Sequence, residues 1–80
     1  MTRVVFPDHL LSVTNGVREL EVSAADVREL LLALEREFPG SEERLAKSAI
    51  AIDGQIHQDA YLEPLAPDSE VFFMQRLEGG

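Results

Sequence analysis

The chain has 80 residues, no cysteine, and 15 Asp and Glu against 7 Lys and Arg, for a formal net charge of −8. That length makes one small domain, and the composition excludes disulfide staples, thiolate metal sites and a cysteine nucleophile. The acidity speaks against nucleic acid and against anionic membrane, both of which call for a basic footprint, and leaves a basic protein surface as the natural complement.

Apolar residues at 45% argue against disorder. The apolar run before Pro7, Val4-Val5-Phe6, is too short for a secretion leader or a membrane span, so the cytoplasm is the expected compartment. The stretch TRVVF, ending at Pro7, reads as a first strand, and SVTNG at 12–16 is turn chemistry. VRELEV at 17–22 alternates as a second strand, with Val17, Glu19 and Glu21 on one face and Leu20 and Val22 turned inward on the other. Val27, Leu30, Leu31, Leu34 and Phe38 then fall on one arc of a helix, with Arg28, Glu35, Arg36 and Leu32 outside it. Asp26 with Glu29 has capping-box spacing, Ser23 offers an alternative start, and Pro39-Gly40 ends the helix.

SEERLAK at 41–47 reads as a short second helix with Ser41 as its cap and Glu42 and Glu43 at the positive end of its dipole. AIAID and QIH flank Asp53-Gly54, a strong signal for a two-residue hairpin. An irregular connection follows, with Leu62 and Leu65 as its expected anchors and a turn at Pro67-Asp68-Ser69. VFFMQR at 71–76 is the last strand. Being apolar on both faces, it belongs in the interior of its sheet, most economically beside the first strand. Val71 and Phe73 are expected under the helix, with Phe72 and Met74 on the opposite face as a partner-docking surface. The expected architecture is therefore α+β, a mixed sheet covered by one main helix in a β-grasp (ubiquitin-like) arrangement over residues 1–76, with a flexible tail at 77–80.

Internal chemistry is sparse. His9 and His57 stand alone, without metal-ligand spacing, and read as surface or loop residues. The pairs Glu19/Glu21 and Glu42/Glu43 fall on faces that read as solvated, and Ser12, Ser23, Ser41, Ser48 and Ser69 lack an evident activating partner. No metal site, bound cofactor or catalytic centre is expected within the domain, so the chain is expected not to be an enzyme. What remains is the ending, Arg76-Leu77-Glu78-Gly79-Gly80.

With those two glycines, the chain resembles the ubiquitin-like sulfur-carrier family, which includes the small subunit of molybdopterin synthase and the thiamine sulfur carrier. The resemblance runs through DVRELLLALEREFPG, the IAIDGQI hairpin (where the family typically has Asn-Gly), LEPLAPDSEVFF and the terminal Gly79-Gly80. It implies that the Gly80 carboxylate is the reacting group. A ubiquitin-activating-like adenylyltransferase uses ATP to adenylate it, and a sulfurtransferase or sulfide source converts it to a thiocarboxylate. An acceptor synthase then takes the sulfur. The carrier is expected to be a monomer when free and to be a protein co-substrate.

Gly79 and Gly80 lack Cβ atoms, which suits threading through a narrow channel. Arg76, Leu77 and Glu78 would set reach, since an extended tail from Arg76 to Gly80 spans about 13–16 Å. Molybdopterin-type tails commonly carry Pro-Pro-Val before the glycines, where this chain has Met74-Gln75-Arg76-Leu77-Glu78. Phe6-Pro7 with its long first loop, and Phe38-Pro39-Gly40 followed by Arg44-Leu45, look more like the carriers that serve cysteine, thio-siderophore and other secondary-metabolite synthesis. Three alternatives stay open: a molybdopterin synthase small subunit, a ubiquitin-like modifier conjugated through Gly80, and a plain β-grasp binding module.

Overall fold

Alternating strand residues sort onto a covered and an open face of one five-stranded sheet in the computed structural model, which describes residues 1–76. The strands are β1 (Thr2–Val5), β2 (Glu19–Val22), β3 (Ala49–Ile52), β4 (Gln55–His57) and β5 (Glu70–Met74), and the helices are α1 (Val27–Glu37) and α2 (Glu42–Ala46). The order across the sheet is β2-β1-β5-β3-β4. β5 runs parallel to β1, and every other pair is antiparallel. This is the expected mixed sheet, with the last strand central and beside the first.

Val4, Ile50, Val71 and Phe73 from the covered face pack against Val27, Leu30, Leu31 and Leu34 of α1. Phe6 stacks on Phe73 with ring centroids 5.6 Å apart and meets the edge of Phe38 at 6.2 Å, closing the end of the core nearest the α1 C-terminus. The Asp26 carboxylate accepts from the Glu29 N–H at 2.8 Å, and Glu29 reaches back to accept from the Ala25 N–H at 3.0 Å. Of the two possible starts, the Asp26 one is therefore used, with both orphan amide donors satisfied. Leu32 is an exposed outer-face leucine.

Three local expectations are corrected. Ser41 does not cap α2 through its side chain; its hydroxyl turns inward toward the Leu34 carbonyl at 3.4 Å. Glu35 takes over the task, its carboxylate accepting from the Gly40 N–H at 2.7 Å and the Glu42 N–H at 2.9 Å. Leu62 anchors nothing and is 77% exposed, whereas Leu65 is buried. The backbone explains that choice: the Leu65 N–H donates to the Ala25 carbonyl and the Glu63 carbonyl accepts from the Val27 N–H, so residues 63–65 pair with the entry to α1. Val17 belongs to the turn before β2, half-buried against the core, and does not share the open face with Glu19 and Glu21.

The first loop is more structured than turn chemistry alone implies. A 3-10 turn at Asp8–Leu10 places Leu10 in the core, and the buried Thr14 hydroxyl donates to the Val17 carbonyl at 2.8 Å. The β3–β4 turn is as expected, with Asp53 at φ 50° and Gly54 at φ 86°, the two positive values a type I′ turn requires. The Asp53 carboxylate also accepts from the Glu70 N–H at 2.9 Å, tying this hairpin to the start of β5. The turn at 66–69 closes with the Ser69 N–H donating to the Ala66 carbonyl, Pro67 in its second position.

Candidate functional site

β5 decides where Phe72 and Met74 stand. Alternation buries Val71 and Phe73 (0% and 3% exposed) and turns Phe72 and Met74 to the open face, with Phe72 40% exposed and Met74 half-buried. Register sets the neighbours: Phe72 lies between Val5 of β1 and Ala51 of β3, and Ala51 in turn pairs with Ile56 of β4. Ile56, Ala51, Phe72 and Val5 thus form one apolar row across the sheet, and Ile56 is itself 59% exposed. Two residues nearer the end of β5 and on the same face, Met74 sits opposite Ala49. Ala49, Ile56, Gln58, Met74 and Gln75 enclose a hollow of about 270 Å³. The open face therefore offers an apolar surface at the end of the sheet from which the chain leaves β5.

The other end of that face is charged. The Arg3 guanidinium donates to both Glu19 carboxylate oxygens, at 2.7 and 3.0 Å, and to Glu70 on the opposite neighbouring strand. The bond from Arg3 holds the Glu19 carboxyl below the usual carboxylate range, and the two carboxylates raise Arg3 further above its already high value. Glu19 is thereby an ion-pair partner bridging β1 and β2, and it is held in its ionised form. Glu43 pairs at 3.8 Å with Lys47 one helical turn on, a solvated contact. Backbone bonds from Gly40 and Glu42 lower the Glu35 carboxyl, which follows from its capping task.

His57 approaches Glu63 at 3.9 Å, and His9 is exposed. Ser41, Ser48 and Ser69 are buried with backbone partners: the Ser48 hydroxyl donates to the Arg44 carbonyl, and Ser69 Oγ accepts from the Ala66 N–H. Among the described residues no group of three or more His, Asp or Glu side chains is placed to hold a metal ion, and no helix is long and apolar enough to cross a membrane.

Arg76 closes the described chain. It reaches Asp59 at 3.7 Å and forms one wall of a cleft of about 530 Å³ with His9, Leu10, Arg44, Lys47, Ser48 and Gln75. Sequence reasoning did not find this cleft. Its only trace there is the spacing of Arg44 and Lys47, three apart on a short helix, and neither that spacing nor His9 says what stands opposite. The expected reactive residue Gly80, and with it Gly79, Glu78 and Leu77, lies outside the described residues. Of the other expected site residues, Phe72 and Met74 lie on the open face of β5, while Arg76 lines the cleft instead.

No protein-family model and no curated protein sequence matches the chain. Solved structures do. A chain of the Amycolatopsis orientalis BexX/CysO complex superposes with a TM-score of 0.86 over 100% of both chains at 18% identity. Mycobacterium tuberculosis CysO gives 0.84 over 96% of this chain and 100% of its own, at 17% identity. SAMP1 from Haloferax volcanii gives 0.77 over 99% and 98% at 22% identity. Agreement over whole chains at such identities establishes the fold: the protein is a β-grasp domain.

Proposed function

We propose that the protein is a ubiquitin-like sulfur carrier acting in the cytoplasm, with Gly80 as the residue that carries the sulfur. The observation behind this reading is the construction of β5. It is central and paired on both sides, it buries Val71 and Phe73, and it presents Phe72 and Met74 outward just before the chain passes through Arg76 to Gly79-Gly80. Whole-length likeness to CysO chains supports it, one of them from a complex with BexX.

In the proposed reaction a carboxylate oxygen of Gly80 attacks the α-phosphate of ATP on an activating enzyme, and pyrophosphate leaves. Sulfide, or a sulfurtransferase persulfide with a reductant, then attacks the acyl carbon and AMP leaves, giving the thiocarboxylate. The domain binds no ATP itself. Its part is to hold the tail root still and to offer the apolar face of Phe72 and Met74 to the partner. The acceptor is proposed to be a synthase of cysteine or another thio-metabolite.

The test is intact-mass analysis of the full chain after incubation with the activating enzyme of its own genome, ATP and sulfide. One oxygen-to-sulfur exchange, lost on deletion of Gly80, is expected, and an unchanged mass refutes the reading. A second reading, conjugation to lysines through Gly80, is favoured by the likeness to SAMP1, a modifier protein by name. Gly-Gly remnants on lysines of other proteins in cell extracts, dependent on this chain, would carry that reading instead.

A further inference from the structure

In a molecule of net charge −8, three of the 7 Lys and Arg residues gather at one place. Arg44, Lys47 and Arg76 line the 530 Å³ cleft together with His9, drawn from α2 and its C-cap, the residues just after β5, and the 3-10 turn. Their neutralisation is slight. Lys47 meets Glu43 only at 3.8 Å, Arg76 meets Asp59 only at 3.7 Å, and Arg44 joins no ion pair among the described residues. Exposed pairs at such distances contribute little. Arg3 and Arg18, elsewhere on the surface, are by contrast bound to carboxylates at 2.7 and 2.6 Å. Placing like charges side by side carries a repulsive cost. Nothing in the fold requires it, since Arg44 and Lys47 are exposed and pack into no core.

We propose that this cleft is a docking surface for an acidic segment of the protein that receives the tail, a proposal that rests on the carrier reading above. Size and construction favour a polypeptide over a small anion. The cleft is far larger than a phosphate or sulfate needs, and its cations, Arg44, Lys47 and Arg76, are exposed side chains from two separate parts of the chain. Reach points the same way: extended, the stretch from Arg76 to Gly80 spans about 13–16 Å, so Gly80 can react well away from the cleft. Gln75 lines both the cleft and the apolar hollow beside Met74, so the two flank the same stretch of chain. A partner would then meet an apolar patch on one side of the tail root and a basic one on the other. The complement is a partner with carboxylates at the mouth of its tail channel, the reverse of what the net charge of the chain suggests.

Two measurements test this, both on the full chain. The first follows backbone amide shifts while a hexaglutamate peptide is added, with inorganic phosphate and a hexalysine peptide as separate arms. Shifts confined to His9, Arg44, Lys47 and Arg76, absent in the R44E/K47E double variant and weakened by salt, are expected. Shifts spread over the surface overturn the proposal, as does saturation by phosphate at lower concentration than by peptide, which would make the cleft a small-anion site. The second compares thiocarboxylation by the activating enzyme. R44E/K47E is expected to raise KM for the carrier about tenfold with kcat unchanged, the effect shrinking at high salt. If wild type is modified and the double variant shows the same KM, the docking proposal falls and the carrier reading stands. If wild type is not modified at all, the carrier reading falls, and with it the docking role assigned here. The R44Q/K47Q variant, which removes charge without reversing it, is expected to lie between.

Discussion

Phe72 and Phe73 are adjacent in sequence and opposite in consequence, so truncating each in turn is a direct test of how β5 divides its labour. Phe73 is 3% exposed, stacked on Phe6 at 5.6 Å and set in the central strand. Phe73→Ala removes a full aromatic burial and leaves a cavity against α1, for a cost of about 3–5 kcal/mol. An 80-residue domain has a total stability of about 4–12 kcal/mol, so this variant is expected to be largely unfolded or to melt at least about 12 °C lower. Phe72 is 40% exposed on the open face, so Phe72→Ala gives up little more than half of one burial, about 1–2 kcal/mol. It is expected to stay folded and to lose thiocarboxylation by the activating enzyme. Far-UV circular dichroism against urea measures the stabilities, there being no tryptophan in the chain, and intact mass reads the reaction. Equal destabilisation by the two variants would refute the facing of β5. A stable Phe72→Ala modified at the wild-type rate would refute the docking role of its open side.

Two further predictions concern the scaffold. At the β3–β4 turn, Asp53→Ala loses the acceptor for the Glu70 N–H and places an ordinary side chain at φ 50°, costing about 1–2 kcal/mol in urea melts. Asp53→Asn keeps an acceptor oxygen and tolerates the same backbone, so it is expected to be neutral or slightly stabilising. For Glu35, backbone bonds from Gly40 and Glu42 hold the folded-state carboxyl below its usual 4.5. Its stabilisation is therefore complete above about that pH and is lost as pH falls through the lowered folded value. Wild type is expected to exceed Glu35→Gln in melting temperature at neutral pH, and the gap is expected to close with acidification. A gap that stays constant down to strong acid would mean that the carboxylate is not the α2 cap.

Legibility followed the range of the interaction. The arc of Val27, Leu30, Leu31 and Leu34, the Asp26 cap and the Asp53-Gly54 turn each depend on residues within a few positions of one another, and each was readable. The central place of β5 was also readable, though the reason needs refining. Both faces are apolar, yet only the side of Val71 and Phe73 is buried; the other carries Phe72, which is apolar and half open. What sequence could not supply were choices between equivalent local options. Ser41 and Glu35 can each satisfy the start of α2, and the packing of Ser41 toward Leu34 decides for Glu35. Leu62 and Leu65 look alike until the backbone of Leu65 bonds to Ala25. The basic cleft assembles residues from positions 9 to 76, and no short-range pattern announces such a grouping.

The position of β5 also bears on what the proposed tail-borne reaction would ask of the fold. β1 and β3 do not pair with each other; β5 is what joins the β1–β2 hairpin to the β3–β4 hairpin. Two-stranded hairpins are marginal alone, so the strand leading to the tail is the one without which no sheet exists. Phe72 and Met74 of β5 and Arg44 of α2 therefore belong to elements fixed to one core. The residues that keep the fold and those that face outward are then different sets threaded along a single strand: Val71 and Phe73 for the first, Phe72 and Met74 for the second. On the proposed carrier reading, substitution in the second set is expected to alter partner choice while the core packing stays as it is.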